Sequence, residues 1–267
     1  MAGADRFTMP DPRRSPGRTI TVFTYEPRKC NAESPFVVVM HGRKRNGDDY
    51  RDEWIESAER YGFRVAAPEF SEAQYKHPQE YNYGGMVDAD GRLRPREEWI
   101  FRAIDAAFLE ACRRMASSSE RYTLYGHSAG GQLVHRCATF AWSPLMERAV
   151  TANAGSYTMP VRDEAFPFGI GGTPVTEDEL RAFFARPLLV MLGDRDSDPD
   201  DDQLPREAGA MRQGPHRFAR GRRYVEVAKL ESARLGVPLA WRVATAPGVA
   251  HSNALMAPHV ARELFGG

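Results

Sequence analysis

The segment RYTLYGHSAGGQL, residues 121–133, changes character at its centre. Its first half carries the β-branched and aromatic residues of a strand, and the residues after Gly131 favour a helix that runs to about Trp142. The glycines between them permit a sharp turn, which would expose the hydroxyl of Ser128. A strand, a Gly-x-Ser-x-Gly turn and a helix in this order are typical of a nucleophilic serine. A serine in an ordinary small-residue loop is the alternative.

Strands and helices alternate on both sides of this segment. Apolar, β-branched runs predict strands at 19–27, 35–42, 63–70, 148–155, 186–194 and 238–246. Helical periodicity and end signals predict helices at 48–62, 95–116, 176–185, 217–235 and 251–265. We interpret 19–27 as an edge strand and 35–42 as a buried one. The alternation predicts an α/β fold with a mostly parallel central sheet and helices on both faces.

The domain organisation follows from the same alternation. A length of 267 residues fits one large α/β unit as well as two small ones. Because no internal repeat or low-complexity linker interrupts the pattern, we expect a single domain over residues 1–267. Residues 1–18 are expected to form an extended arm. Residues 70–95 and 156–175 lack periodicity and are expected to lie as loops above the sheet, where long loops usually carry function.

Composition excludes several classes of partner. The chain has 36 Lys and Arg against 36 Asp and Glu, so no overall field attracts a nucleic acid or an anionic membrane. Basic clusters at 43–45 and 216–223 are closely followed by acidic residues, and we interpret both mainly as solvated surface. The start of the sequence has no apolar signal segment and no run is long enough to span a bilayer, which favours a soluble, cytoplasmic protein.

The cysteines indicate neither a disulfide framework nor a zinc site. Cys30, Cys112 and Cys137 are odd in number and lack CxxC spacing. Cys112 follows the apolar stripe of the helix predicted at 95–116, so we interpret it as a core side chain. One bridge between Cys30 and either of the other two stays open at this stage.

A serine nucleophile needs a base, an acid that orients the base, and donors for the oxyanion. Residues 193–200 offer several carboxylates at the carboxyl end of a buried strand, where sites form in open α/β sheets. A calcium-binding loop is an alternative, but Pro199 and Pro205 occupy positions that an EF-hand gives to Gly and Glu. Most of residues 198–202 are expected to be a solvated acidic loop.

The base must be one of the histidines after this loop, because the chain order in nucleophile-elbow folds is Ser, acid, His. His216, His251 and His259 remain. His251 follows the last predicted strand through a short loop, which returns it to the edge of the sheet that carries Ser128. His259 lies inside the final helix and His216 begins another, so His251 is the predicted base.

Two backbone N–H groups are predicted to form the oxyanion hole. One belongs to Ala129, directly after the nucleophile, and the other to Arg43, after the run VVVMHG at 37–42. The Arg43 side chain has no part in this role, and His41 is expected to organise the loop.

Aromatic and Met residues on the two long loops are candidate pocket residues, with core packing as the alternative for each. Tyr83, Tyr157 and Met159 are the predicted substrate-binding residues, and Tyr81 and Phe166 are further candidates.

Four short segments resemble motifs of the α/β-hydrolase superfamily, and the resemblance covers essentially the whole chain. GHSAGG is similar to the lipase box, MHG to the oxyanion loop, LGDRD at 192–196 to the acid turn and PGVAH at 247–251 to the histidine loop. The family pattern places the acid three residues after the Gly, which implies Asp196, with Asp194 as the alternative. The paired glycines of SAGG and the VVVMHG loop resemble the esterase and polyhydroxybutyrate-depolymerase group.

The resemblance implies a serine esterase that cleaves small-molecule carboxylic esters through an acyl-enzyme, with a triad of Ser128, His251 and Asp196 and without metal or organic cofactor. A peptidase or amidase, a thioesterase, an acyltransferase or a polyester depolymerase would use the same triad, because the pocket sets the substrate. A non-catalytic scaffold protein is disfavoured, since every triad member is present. A serine at the turn also argues against the dehalogenases and epoxide hydrolases of this superfamily, which use Asp there. The sequence does not indicate the oligomeric state.

Overall fold

The computed structural model describes residues 2–13 and 17–266. Within them, eight strands form one sheet: β1 Gly3–Pro10, β2 Thr19–Glu26, β3 Phe36–Met40, β4 Arg64–Glu69, β5 Tyr122–His127, β6 Met146–Ala152, β7 Leu188–Gly193 and β8 Arg242–Ala246. Eight α-helices accompany these strands in the same residues: α1 Gly47–Asp52, α2 Ile55–Tyr61, α3 Phe101–Arg114, α4 Ala129–Phe140, α5 Glu177–Phe184, α6 Ala208–Gln213, α7 Arg217–Arg234 and α8 Asn253–Phe265.

The strand order across the sheet is β1-β2-β4-β3-β5-β6-β7-β8. The β1–β2 and β2–β4 pairs are antiparallel, and every pair from β4–β3 to β7–β8 is parallel. The predicted α/β fold with a mostly parallel sheet is therefore confirmed. The carboxyl ends of β3, β5, β6, β7 and β8 lie along one edge of this sheet, where their connecting loops meet.

The first strand changes the prediction for the edge of the sheet. Residues 3–10, part of the expected extended arm, pair with β2 from Gly3 opposite Glu26 to Pro10 opposite Thr19. Phe7 of this strand is buried in the hydrophobic core. The prediction of an edge strand at 19–27 is wrong, because β1 covers that side of β2. Residues 1 and 14–16 of the expected arm lie outside the described residues.

Strand β3 shows why the sheet is covered on both faces. Val37 and Val39 pack into a core with α1, α2 and α8. Phe36, Val38 and Met40 alternate with them and pack into a second core with α3, α4, α5 and α7. Because both faces of the strand are buried, its sequence is a continuous apolar run rather than an alternating one.

The helices differ from prediction at several ends. The helix predicted at 48–62 is divided at Glu53 into α1 and α2, and α2 ends at Tyr61 with Gly62 as a left-handed cap. Helix α3 begins at Phe101 instead of Pro95, after a short 3-10 turn. Helix α6 was not predicted. Of the helices in the described residues, none combines the length and apolarity needed to cross a membrane.

The three cysteines are free thiols, so neither of the bridges left open by the sequence forms. Cys112 and Cys137 are buried. Their burial in the apolar core raises the pKa of both thiols, which keeps them protonated at neutral pH.

Candidate active site

Ser128 lies in the turn between β5 and α4 with φ 57° and ψ −117°. A positive φ in a non-glycine residue costs on the order of 1–3 kcal/mol and persists only where its surroundings fix it. Two glycines allow the close packing that fixes Ser128 in this conformation. A Cβ atom at Gly126 would stand 2.3 Å from the Gly130 carbonyl oxygen, and one at Gly130 would stand 2.1 Å from that of Met40. Helix α4 can therefore begin directly against the ends of β5 and β3.

Asp196 lies in the tight turn after β7, and its side chain is buried. Its N–H donates to the Gly193 carbonyl oxygen at 3.1 Å. A Cβ at Gly193 would stand 2.3 Å from the carbonyl oxygen of Val249, so this turn packs backbone to backbone on the loop before His251. Asp194 is exposed and instead accepts from the Gly248 N–H at 2.7 Å.

His251 connects the acid turn to the serine. Its Nδ1 lies 2.7 Å from Asp196 Oδ2, and its Nε2 lies 2.9 Å from Ser128 Oγ. In a neutral imidazole, Nδ1–H donates to the carboxylate and Nε2 accepts from the serine hydroxyl. The structure thus brings the three predicted catalytic side chains into one chain of contacts, and it joins His251 to Asp196 instead of Asp194.

A second histidine packs behind His251. The buried ring of His127 lies 4.7 Å from that of His251, centroid to centroid, and its Nδ1 lies 3.2 Å from the Tyr50 hydroxyl. Burial lowers the pKa of His127 well below its usual range. His127 is therefore neutral at pH 7 and places no positive charge beside His251.

Asn153 links two loops of the candidate site, and the sequence did not reveal this contact. It follows β6 directly with φ 43°. Its Oδ1 accepts from the Gly193 N–H at 2.8 Å, and its Nδ2 donates to the Ala250 carbonyl oxygen at 3.2 Å. Asn153 therefore ties the acid turn to the histidine loop. Its place at the carboxyl end of a sheet strand is the signal that could have identified it.

Ser128 opens into a cavity of about 410 Å³. The cavity is lined by Arg43, Pro78, Asn82, Tyr83, Ser128, Ala129, Gln132, Gly155, Ser156, Arg217 and residues 202–207. Both long loops contribute to it, and the segment 202–207, for which the sequence indicated no role, adds a further wall. Among the described residues, no group of three His, Cys, Asp or Glu side chains could hold a metal ion.

The predicted pocket residues have different surroundings. Tyr83 lines the Ser128 cavity. Tyr157 is fully buried and stacks on Tyr224 at 4.6 Å between centroids. Met159 lines a separate cavity of about 220 Å³. The Tyr81 hydroxyl donates to the His41 carbonyl oxygen at 2.7 Å, so this ring is part of the support of the loop after β3.

The two predicted oxyanion donors, Arg43 and Ala129, both line the cavity beside Ser128. Ala129 is the first residue of α4, and the first N–H groups of a helix have no acceptor within it. His41 stabilises the loop that carries Arg43, because its Nε2 accepts from the Phe70 N–H at 3.0 Å. Burial lowers the pKa of His41 to about 3, so the ring is neutral.

Three arginines of the two basic clusters are buried, so the interpretation of those clusters as solvated surface is wrong at these positions. Arg45 lies over the Tyr81 ring at 4.2 Å. Arg217 pairs with carboxylates of the loop after β7, and Arg220 donates to the Gly155 carbonyl oxygen at 2.6 Å. Each guanidinium contacts a segment that is distant in sequence, so the local sequence pattern does not indicate that these arginines are buried.

Arg136 of α4 is also fully buried and holds both long loops. Its guanidinium donates to the carbonyl oxygens of Asn82 at 2.9 Å and Pro167 at 3.1 Å, and to Thr158 Oγ1 at 2.9 Å. It lies 4.8 Å from the centroid of the Tyr83 ring. Burial lowers its pKa to about 10, so it stays charged at neutral pH. The helix that begins at the serine turn thus also fixes the cavity walls.

Two solved structures match the chain over its full length. Poly(aspartic acid) hydrolase-1 from Sphingomonas sp. KT-1 is 37% identical, with a TM-score of 0.93 and coverage of 100% of this chain and 99% of that chain. LpqC, a poly(3-hydroxybutyrate) depolymerase from Bordetella parapertussis, is 35% identical, with a TM-score of 0.94 and coverage of 100% and 90%. The chain belongs to the α/β-hydrolase superfamily. This confirms the resemblance seen in the sequence, and both relatives of this α/β hydrolase are hydrolases.

More distant α/β hydrolases share the fold alone. An S-formylglutathione hydrolase from Agrobacterium tumefaciens is 14% identical, with a TM-score of 0.58 and coverage of 99% of this chain and 94% of that chain. No protein-family model and no curated protein sequence matches the chain.

Proposed function

We propose that this α/β hydrolase cleaves carboxylic esters by acyl transfer to Ser128. The observation that carries the proposal is the unbroken chain of contacts from Ser128 Oγ through the His251 imidazole to the Asp196 carboxylate. As Oγ attacks the ester carbonyl, Nε2 of His251 takes its proton. The carboxylate holds the ring in orientation and stabilises the imidazolium that forms.

The attack converts the carbonyl oxygen into an oxyanion. The N–H groups of Ala129 and Arg43 are the proposed donors to it, and both residues border the same cavity as Ser128. The N-terminal end of α4 adds the positive end of a helix dipole at this place. In an oxyanion hole, one such donor contributes about 3 kcal/mol to transition-state stabilisation.

Two half-reactions complete the cycle. The tetrahedral intermediate collapses, the bond to the alkoxide breaks, and His251 gives its proton to the departing alcohol. Water then attacks the ester on Ser128, His251 takes the water proton, and the acid leaves as Oγ regains its proton.

A second candidate substrate is the amide backbone of an anionic polymer. One full-length relative is named a poly(aspartic acid) hydrolase. Two exposed arginines, Arg43 and Arg206, border the cavity, and neither forms an ion pair with any residue that the structure describes. Asp202 and Glu207 border the same cavity. Free guanidinium groups at this rim suit substrate carboxylates, which they bind in bidentate geometry.

The test compares the wild type with Ser128→Ala on p-nitrophenyl esters of increasing chain length, 3-hydroxybutyrate oligomers and poly(aspartic acid). We expect ester hydrolysis with a burst of p-nitrophenol, and a loss of at least about a thousandfold in kcat for Ser128→Ala. Ser118→Ala, at an exposed serine before β5, is the matched control and should behave as the wild type. Undiminished ester hydrolysis by Ser128→Ala overturns the proposal.

The same assays decide the second candidate. Cleavage of poly(aspartic acid) that weakens steeply with added salt, and weakens further in Arg206→Ala, favours the anionic polymer, because salt screens exposed charges. Cleavage of neutral esters without cleavage of poly(aspartic acid) excludes the anionic polymer as a substrate.

A further inference from the structure

The Asp196 carboxylate is held by two partners. Its Oδ2 accepts from His251, and its Oδ1 accepts from Nη1 of Arg217 at 3.2 Å. The Arg217 side chain is only 1% exposed. Both oxygens of the proposed triad acid are therefore committed, which removes its freedom to rotate away from His251.

Arg217 also binds a second carboxylate. Its Nη2 donates to Asp201 Oδ1 at 3.0 Å. Asp201 directly precedes the segment 202–207 that forms one wall of the Ser128 cavity. The planar guanidinium presents its donors in a fixed fork, so it sets the distance between the two carboxylates it bridges. The triad acid and the cavity wall are thus joined through one side chain.

The start of α7 holds Arg217 in place. Arg217 is the first residue of this 18-residue helix, and the His216 side chain caps it by accepting from the Ala219 N–H at 3.2 Å. The next residue, Phe218, donates its N–H to the Asp196 backbone oxygen at 3.0 Å. The helix start therefore contacts Asp196 through both its backbone and its side chain.

The charges of Arg217, Asp196 and Asp201 together determine the net charge beside His251. Arg217 offsets part of the negative charge of Asp196 that would otherwise stabilise the His251 imidazolium. The hydrogen bond from Arg217 lowers the pKa of Asp201, so Asp201 is ionised at neutral pH. One guanidinium and two carboxylates leave a single negative charge, which is the charge that a lone aspartate gives to an ordinary triad.

We propose that Arg217 and Asp201 are a positioning pair for the reaction. Arg217 fixes the orientation of the Asp196 carboxylate, and Asp201 restores the negative charge that Arg217 offsets. The proposal rests on the acyl-transfer function proposed above. The other groups that face His251 are Ser128 and the neutral His127 of β5, with Tyr50 behind it, so the charge beside the imidazole comes from this cluster.

The test uses Arg217→Lys, Arg217→Gln and Asp201→Asn, each assayed for kcat, KM and the pH dependence of kcat/KM with a p-nitrophenyl ester. Arg217→Lys keeps the charge but loses the fork, and we expect kcat to fall about 10- to 100-fold with a smaller change in KM. Asp201→Asn removes a negative charge, which disfavours the imidazolium and should move the acidic limb to lower pH by about half a unit or more. Arg217→Gln removes a positive charge and should move that limb to higher pH.

The opposite shifts separate this role from a merely structural one, which would lower the rate equally at every pH. Matched controls are Arg223→Lys on the exposed face of α7 and Asp200→Asn in the same acidic loop, and both should behave as the wild type. A kcat of Arg217→Lys within twofold of the wild type, or an unmoved acidic limb in Asp201→Asn, overturns the proposal. If circular dichroism shows that an Arg217 variant does not fold, the shift of the acidic limb of kcat/KM in Asp201→Asn decides whether the proposal holds.

Failure of this inference is distinguishable from failure of the proposed function. Reaction of Ser128 with an active-site phosphonate in the wild type tests the function alone. A labelled, active wild type with unaffected variants contradicts only the roles of Arg217 and Asp201.

Discussion

Gly130 and Met40 meet backbone to backbone, because a Cβ atom on Gly130 would stand only 2.1 Å from the Met40 carbonyl oxygen. Gly130 lies in the first turn of α4, and Met40 is the last residue of β3. The contact therefore holds the turn that carries Ser128 against the loop that carries Arg43. Because Gly130 has no side-chain carbon, two segments far apart in sequence can pack closely and form one side of the site.

The substitution Gly130→Ala tests this contact. The atom that the new methyl group meets belongs to the backbone and cannot rotate away, so β3 and α4 must separate. We expect a loss of about 3 kcal/mol in the free energy of unfolding. We also expect a fall of about 100-fold in kcat, since the serine and the oxyanion donors no longer keep their relative positions. Urea unfolding and ester hydrolysis measure the two effects.

Gly172→Ala is the matched control for Gly130→Ala. Gly172 has φ 74° but open space around its Cβ position. Only the left-handed backbone opposes the new side chain there, which costs about 1 kcal/mol and should leave kcat unchanged. If Gly130→Ala is as stable and active as Gly172→Ala, the contact with Met40 does not hold the site.

The stability of the protein should fall as the pH is lowered below neutrality. His41, His127 and His135 are buried, and burial lowers the pKa of all three, to about 3 for His41. In the unfolded chain each has a pKa near 6.5, so unfolding binds protons below that pH and stability rises with pH. From pH 7.5 to 5.5 the three histidines together should cost about 4 kcal/mol of unfolding free energy. Urea unfolding at pH 7.5, 6.5 and 5.5 measures this slope.

His41→Gln isolates one of these contributions. The glutamine oxygen can accept from the Phe70 N–H in place of the imidazole nitrogen, and it does not titrate. We expect a slope about one third smaller than in the wild type. A flat wild-type profile, or an unchanged slope in His41→Gln, would show that these rings are not held neutral by the fold.

Arg136→Met should destabilise the protein and loosen the cavity walls. It leaves the Asn82 carbonyl oxygen without its donor and removes one of two donors to the Pro167 carbonyl oxygen, which still accepts from Thr158 Oγ1 at 2.7 Å, at a cost of about 3 kcal/mol in unfolding free energy. Because these oxygens belong to the two long loops, we also expect a raised KM for ester substrates. Arg222→Met, at an exposed position of α7, is the control and should change stability by no more than about 0.5 kcal/mol. Equal stability of the two variants would show that Arg136 does not stabilise the two loops.

The sequence predicted the parts of the fold that are buried on both faces. The run at 35–42 is apolar without interruption, and its strand was foreseen. Strand β1 was missed because it is a side strand whose sequence, GADRFTMP, buries only Phe7 fully and is otherwise polar or exposed. A local sequence pattern indicates a strand through its buried apolar residues, and an edge strand such as β1 has few of them.

The candidate site was predictable where local context carries the signal. Ser128 and His251 each follow a predicted strand in a turn of recognisable type. The choice between Asp196 and Asp194 depends on which carboxylate turns inward, which a distant loop decides. Arg217 stands in a basic cluster of the kind that is usually solvated, and its burial depends on carboxylates of another segment. Tyr157 was open between pocket and core, and packing on Tyr224 places it in the core.

In the proposed reaction, Ser128 is a nucleophile that His251 activates. The most direct test of this role is incubation of the folded protein with a fluorophosphonate, followed by mass spectrometry of the intact chain and its peptides. We expect one adduct per chain, located on Ser128, no adduct in Ser128→Ala, and labelling of His251→Ala slowed by at least about a hundredfold. An unlabelled Ser128 in folded wild-type protein, or equal labelling of Ser128→Ala, would contradict this role.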